Sequence, residues 1–517
     1  MELVKESVFI NESAYTNFSQ IPVEGDIIVP DVKPDILKVL QVDSNAVVTG
    51  KDIADGKLTI NGKVNLKILY VPDKAEERVE SINTSIDFVH RVENEAIGQD
   101  MQAMVECDIQ HVEFRLINSR KMSVSNIVGV DCDICGSKSL EMVTGIDNED
   151  TVEIRKKPIS VYNVVAQEEQ QFVVKDSVEV PSGKMSIGKV LQVDAKISDK
   201  ELKVVTGKLI AKGIVCVCIL YNGEDGSPEY MEMDIPFTEV FELAGVSEDT
   251  SCDMDYTIAD MYYETEEDSD GDLRIVNLEF LAEARMRASE NVKIDVVDDF
   301  YCPGWETKIT RESYTIDEVV CQPGTQNTLR EIVAMDSGMP QVMNVYNVIT
   351  KACIKNTSIE KGKLAVEGMV EGYILYLSDS VDSPVYSCKK EIPFSYLIDA
   401  PGAETGMECD IKAEVEHSSY SLNMANEVEL RCILAINARV MKKTPIDLIT
   451  DGEICDLEEE KTGIVIYFVQ RSDSLWNIAR RYHVAIDDIL TLNNMQETDK
   501  ISVGQQLIIP VSHKKTA

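Results

Sequence analysis

The chain is 517 residues long, with 44% hydrophobic and 27% charged residues, so it is too long for one ordinary core and too apolar to be disordered. Three or four domains are expected. Its formal charge of −41, from 91 acidic against 50 basic side chains, argues against nucleic acid or an anionic bilayer as the main partner, since both demand basic surface.

The start, Met1-Glu2-Leu3-Val4-Lys5-Glu6-Ser7, has no basic segment leading into an apolar one, and no run approaches 18 apolar residues. The expectation is a soluble chain, without membrane insertion, that stays in the compartment that makes it. Thirteen cysteines, an odd number spread through long domains, do not read as a disulfide framework and fit a reducing setting as small buried hydrophobes.

Lys38-Val39-Leu40-Gln41-Val42-Asp43 recurs letter for letter as Lys189-Val190-Leu191-Gln192-Val193-Asp194, 151 residues later. The spacing holds to Ile68-Leu69-Tyr70 and Ile219-Leu220-Tyr221. A third copy, 155 residues further on, ends in Ile374-Leu375-Tyr376, and Gly62, Gly213 and Gly368 align inside all three. Three tandem domains of one kind follow. Within the first copy, Leu58, Ile60, Gly62, Val64, Leu66, Ile68 and Tyr70 alternate with polar residues, which is a half-buried strand. Asp55-Gly56 before it is a hairpin signal, and Lys361-Gly362 repeats it.

The predicted fold class is mainly β: three tandem antiparallel β domains, each a sandwich or open barrel, at 1–150, 158–308 and 325–450. An acidic linker at 451–461 and a small α+β module of βααβ order at 462–511 complete the chain. Further linkers are expected at 148–157 and 308–327. Six acidic residues between Asp451 and Glu460 predict an extended tether that lets the last module move independently. The middle copy carries Ile210, Ile214, Cys216, Cys218 and Leu220 where the first is largely polar, so a semi-rigid rod with the middle domain packed between its neighbours is expected.

No motif in the body argues for an enzyme. Cys132-Asp133-Ile134-Cys135 is a lone CxxC without a second pair or a nearby His, and reads as a structural pair. Cys216-Val217-Cys218 replaces Asn65 and Lys67 and reads as packing, as do Cys107, Cys252 and Cys409 at matching places in the copies. The acidic run from Glu264 to Asp272 has Leu273 where a calcium loop needs Gly, and reads as a solvated hairpin tip. Five histidines show no paired-ligand spacing, so no metal and no cofactor are expected.

The last module is the most specific part. Ile464 to Val469 predicts a strand, and Asp473 or Ser474 can cap a helix whose Leu475, Ile478, Ala479 and Tyr482 form one stripe. Asp487 and Asp488 suit the start of a second helix, with Ile489, Leu490 and Leu492 facing the same core. Gln505 to Pro510 predicts the returning strand. From Lys461 to Ala517 there are seven basic against five acidic residues, a balance of +2 beside an acidic body. Trp476, beside the stripe, is the bet for a surface anchor, with Arg471, Arg480 and Arg481 as charge partners.

In order and spacing, Tyr467-Phe468-Val469, Asp473 to Ala479, Leu492-Asn493-Asn494 and Val503 to Pro510 resemble a LysM domain. In LysM families that bind N-acetylglucosamine polymers, the resemblance places the sugar groove at Ser472-Asp473-Ser474-Leu475 and at Asn493-Asn494-Met495. Ser472 stands where that family has a Gly whose bare backbone admits a sugar ring. Three acidic β domains, an acidic tether and a terminal LysM resemble the SipL family of clostridial spore coat morphogenetic proteins, counterparts of SpoVID.

That resemblance implies a non-enzymatic adaptor made in the mother-cell cytoplasm and recruited to the forespore surface. It would join the coat-basement ATPase SpoIVA to other coat proteins through the LysM residues Ser472, Asp473, Ser474, Leu475, Trp476, Asn477, Arg480, Asn493 and Asn494. The alternative is a wall or cortex protein that binds peptidoglycan.

Overall fold

The computed structural model describes residues 2–73, 78–147, 151–334, 339–378, 385–423, 427–457, 463–496 and 498–511. The first copy holds β1 (Leu3–Ile28), β2 (Ile36–Ala54), β3 (Lys57–Pro72), β4 (Glu80–Glu93), β5 (Gln102–Asn118) and β6 (Lys121–Ile146). Two antiparallel sheets, β1-β6-β5 and β2-β3-β4, face each other across a core of Leu58, Ile60, Val64, Leu66 and Ile68 against Val124, Val128, Val130 and Ile134. The alternation seen in the sequence is thus the inner face of β3.

The second copy repeats this with β7 (Glu153–Glu179), β8 (Ile187–Val205), β9 (Lys208–Gly223), β10 (Pro228–Glu242), β11 (Ser251–Glu267) and β12 (Leu273–Tyr301), in sheets β11-β12-β7 and β10-β9-β8. In the third, the first strand is split into β13 (Glu306–Cys321) and β14 (Gly324–Val333), both on β19 (Val428–Cys455), which also pairs with β18 (Glu408–Leu422). The second sheet of this copy is β15 (Val342–Glu360), β16 (Lys363–Ser378) and β17 (Val385–Asp399). Pro323 has no amide hydrogen to give the ladder, which accounts for the break.

The aligned glycines have one explanation. Gly62, Gly213 and Gly368 pair across the sheet with Phe88, Phe237 and Phe394, whose rings lie over the bare backbone. A Cβ on Gly213 would stand 2.7 Å from the Phe237 ring, closer than packed carbon atoms come.

The triplicated Ile-Leu-Tyr divides its labour. Ile68, Ile219 and Ile374 enter the core of their own domain. Tyr70, Tyr221 and Tyr376 are buried beside them, donating their hydroxyls to the carbonyls of Pro34 at 3.0 Å, Met185 at 3.1 Å and Pro340 at 3.2 Å. Leu69, Leu220 and Leu375 face the opposite way and meet one another in a cluster with Leu40, Leu191 and Tyr346, drawn from all three copies.

These contacts correct the expectation of a rod. β4 touches β8, β10 touches β15 and β17 touches β2, so each copy sets its fourth-position strand on the second strand of the next, and the third returns to the first. The body is a closed ring with pseudo-threefold symmetry, the heterologous interface that closes when the rotation allows. Polar ties run the same way: Lys67 Nζ is 2.8 Å from Asp194, Lys200 Nζ 2.8 Å from Glu414, and Lys351 Nζ 3.2 Å from Asp108. The middle strand β9 alternates buried and half-buried residues much as β3 does, so its apolar outer face is not what sets the arrangement.

A second junction lies at the other end. In each copy one residue bulges out of register between the domain and an outer two-stranded ribbon: Ala14, Val165 and Val320. Beyond the bulges the ribbons bundle into a stalk, closed by Leu140, Met142, Ile159, Val161, Ile294, Val296, Ile316, Ile446 and Leu448. Residues 308–327, expected as a linker, supply β13 and the start of β14. Asp451–Cys455, expected as tether, are also strand: Asp451 pairs with Thr310 and Cys455 with Glu306. Cross-strand pairing outweighs the acidic composition there. Residues 458–462 of the tether, and 148–150 of the first expected linker, lie outside the described residues.

Candidate functional site

The C-terminal module consists of β20 (Gly463–Phe468), α1 (Leu475–Tyr482), α2 (Ile486–Leu492) and β21 (Gln506–Val511), the βααβ order. Its core is Val469, Ile478, Ala479, Val484, Ile489, Leu507 and Ile509. Ser474 caps α1, its Oγ accepting from the Asn477 amide at 3.1 Å. Leu492 does not join the core: it is 44% exposed.

Each expected docking residue has a definite place. Asp473 locks its loop, accepting from the Tyr467 hydroxyl at 2.6 Å and the Gln470 amide at 2.8 Å. Those two donors hold its carboxyl below the usual carboxylate range. Asn493 is spent internally too, donating to the carbonyls of Ile489 at 2.7 Å and Ile508 at 2.8 Å and accepting from the Ile508 amide at 2.8 Å. Leu475 is half-buried against the module's core, and Ser472, Asn477 and Asn494 are exposed. Ser472 has φ +68° and Asn494 φ +52°, so the serine sits in the left-handed region where glycine is at ease. Arg471 is exposed, and Arg481 donates to the Tyr467 hydroxyl at 3.0 Å.

Trp476 and Arg480 are turned towards the body, not towards solvent. The Trp476 indole N–H donates to Asp299 Oδ2 at 2.8 Å, and Arg480 Nη1 donates to the same oxygen at 2.7 Å. Arg311 Nη2 reaches Asp299 Oδ1 at 3.3 Å, and the Asp299 side chain is only 4% exposed. A buried carboxylate needs such donors, because an unpaired one carries a large desolvation cost.

The Tyr301 ring meets Trp476 edge-on, centroids 5.2 Å apart, and the Arg155 guanidinium lies 5.3 Å from the indole. Backbone contacts complete the junction. The Tyr301 hydroxyl donates to the Val484 carbonyl at 2.9 Å, the Gly304 amide to the His483 carbonyl at 2.8 Å, and the Ile486 amide to Glu153 at 3.0 Å. The module is therefore docked on the stalk, contrary to the expectation of a freely moving hook.

Sequence reasoning missed Asp299, Tyr301, Arg155 and Glu153. One signal was available: Asp298-Asp299 interrupts the apolar run Val296-Val297 and Phe300-Tyr301. Asp298 takes Arg155 and Lys157 at the surface, which leaves Asp299 for the module.

Elsewhere the chemistry is quiet. Cys132 and Cys135 are three apart on one strand and so face opposite sides of it. Burial pushes the Cys132 thiol up to about 11 and, with the Asp133 carboxylate beside it, the Cys135 thiol up to about 12. Among the described residues no group of three or more His, Cys, Asp or Glu is set to hold a metal ion. The acidic hairpin tip is knit by Asp268, whose Oδ1 accepts from the amides of Asp270 at 2.9 Å and Asp272 at 3.1 Å. No helix among the described residues is long and apolar enough to cross a membrane.

Fold and site define a protein of three β repeat domains locked in a ring, with a LysM-type binding module on its stalk. The family description "SipL, SPOCS domain" matches residues 35–117, 186–266 and 341–423, and "LysM domain" matches 467–510. The chain is a SipL-like protein with tandem SPOCS repeats and a C-terminal LysM domain, and both are binding domains rather than catalytic ones. The SPOCS matches cover the second to fifth strands of each copy, so most of the stalk lies outside them. A secreted LysM effector, Blys4 of Beauveria bassiana (strain ARSEF 2860), is 40% identical over 48 residues. That is 9% of this chain, which spans only 28% of the effector.

Proposed function

We propose that the protein is a non-enzymatic adaptor in spore coat assembly that docks to the coat-basement ATPase SpoIVA through its LysM module. It would be made in the mother-cell cytoplasm and gathered at the forespore surface, with other coat proteins bound along the ring. The observation that carries this reading is the junction at Asp299. It seats the binding module on a closed three-domain platform in the partner-free chain, so that partners of the two are brought together on one chain, as an adaptor requires. The accessible face of the module offers Ser472, Asn477, Asn494 and Arg471 to such a partner.

Capture of purified SpoIVA on the immobilised full chain tests this, with Ser472→Arg and Asn477→Arg placed on the exposed loop. At least a tenfold loss of capture, with the thermal unfolding profile unchanged, is expected. Undiminished capture by both variants removes this loop as the docking surface, and failure of the unsubstituted chain to capture SpoIVA ends the reading.

A second reading, peptidoglycan binding, is favoured by the LysM match itself and by the exposure of Ser472 and Asn494, one residue in each groove loop. Sedimentation of the full chain with purified peptidoglycan decides it.

A further inference from the structure

Asp299 and Tyr301 are two apart at the end of β12, on one face of an extended segment, and they engage the module as a bound peptide would. The carboxylate takes the indole N–H and the guanidinium, and the aromatic ring two residues on takes the edge of Trp476. We infer that Trp476 and Arg480 form a recognition surface for an acidic, extended protein segment of the form Asp-x-aromatic, and that the chain's own Asp299 occupies it until such a partner displaces it. This rests on the adaptor reading and names the chemistry of the partner.

Three observations support displacement rather than permanent docking. The LysM module has its own buried core, to which, among the described residues, the body adds Tyr301 alone. The junction is otherwise polar, made of a few directional bonds that another carboxylate and carbonyl-binding segment can replace. From residue 463 to the end of the chain six basic residues stand against five acidic ones, and the seven residues 456–462 that join this segment to the body include four acidic ones against one lysine, so the Arg480 guanidinium attracts acidic ligands while the tether repels the acidic stalk. Because Asp299 is tethered, it acts at high effective concentration, and an intermolecular competitor is held off until it is abundant or multivalent.

The probe is a fluorescein-labelled peptide of residues 295–304 (Asp-Val-Val-Asp-Asp-Phe-Tyr-Cys-Pro-Gly, with Cys302→Ser), titrated by anisotropy against the full chain. The Asp299→Ala chain should bind it at least tenfold more tightly than the unsubstituted chain, and adding Trp476→Ala should abolish that gain. A peptide carrying Asp299→Asn should not bind. Asp299→Asn in the chain is isosteric and decides the matter by the same criterion if the alanine variant does not unfold cooperatively.

Equal affinity for the substituted and unsubstituted chains overturns the inference, as does binding that ignores the peptide's own carboxylate. A concentration-dependent dimer of the unsubstituted chain, lost with Trp476→Ala, overturns the assignment to a foreign partner in favour of a second copy. Peptide binding needs neither SpoIVA nor peptidoglycan, so loss of SpoIVA capture with peptide binding intact would refute the adaptor reading alone.

Discussion

Leu220→Asp tests the ring directly. Leu220 is 4% exposed and lies outside the cores of the three domains, in the cluster shared with Leu69 and Leu375. Its replacement removes about 1.5–3 kcal/mol of burial and buries an unpaired carboxylate, so the loss from the junction is on the order of 5 kcal/mol. The individual domains keep their hydrophobic sets. Small-angle scattering is the assay: three touching globules of roughly 150 residues give a radius of gyration of about 26 Å in a triangle and about 34 Å in a line. The unsubstituted chain should fall near the first figure. Leu220→Asp should swell it by a few ångströms with the far-ultraviolet β signal retained, because the stalk still ties one end. A value near the second figure for the unsubstituted chain, or no loss of stability in the variant, would refute the ring.

Burial, with the Asp194 charge beside it and Lys67 only partly compensating, pushes the Asp43 carboxyl up to about 6. A folded pKa above the unfolded one means that the native state holds the extra proton, so this site loses stability as pH rises from about 4 through about 6. Asp43→Asn should therefore raise stability at pH 7 by on the order of 2 kcal/mol and flatten that stretch of the pH profile in chemical denaturation. A stability loss at pH 7 contradicts the assignment. Ser472→Gly should relieve the left-handed backbone at φ +68° and stabilise the LysM module by roughly 0.5 kcal/mol once the freer unfolded chain is counted. Calorimetry of the full chain reads it, and a lowered module transition counts against the strain argument. Gly213→Ala drives a methyl group against the Phe237 ring and should cost about 1–3 kcal/mol, measured as a shifted urea midpoint. An unshifted midpoint would show that the ring yields freely.

The domain fold was legible because its signals are local or literal. Leu58 to Tyr70 alternates with period two, and the repeat states its own boundaries by recurring. The ring was legible only in part, through a cue that runs against the alternation. In Ile68-Leu69-Tyr70 the middle residue belongs to the outer face, where an isolated half-buried strand would carry a polar side chain. That the same position is Leu in all three copies marks a buried outer face in each. The middle copy's apolar Ile214, Cys216 and Cys218 drew attention to one strand when the shared leucine was the stronger sign.

The ends of the long strands were misread for a physical reason: Asp451–Cys455 at the end of β19 and Thr310–Cys321 of β13 owe their conformation to the pairing of those two strands, not to their own composition. Contacts at long sequence separation leave no local period, so a polar strand that gains its stability from a ribbon partner looks like a linker.

The same reasoning explains why Trp476, expected as a surface anchor, is turned towards the body. A tryptophan beside, not within, the apolar stripe of α1 must satisfy its indole N–H away from the module's own core. The sequence of α1 leaves the acceptor open, and the nearest acidic residues in the chain, Asp473, Asp487 and Asp488, are committed to their own loop or to the first turn of α2. The acceptor comes instead from 177 residues upstream. Asp299, buried and bonded to two guanidinium groups and the indole, gives the module an orientation, whereas its neighbour Asp298 is shared by Arg155 and Lys157. One carboxylate thus both neutralises Arg480 and takes the Trp476 indole while Ser472 stays exposed, which ties the seat of the module to a residue outside both the SPOCS and the LysM matches.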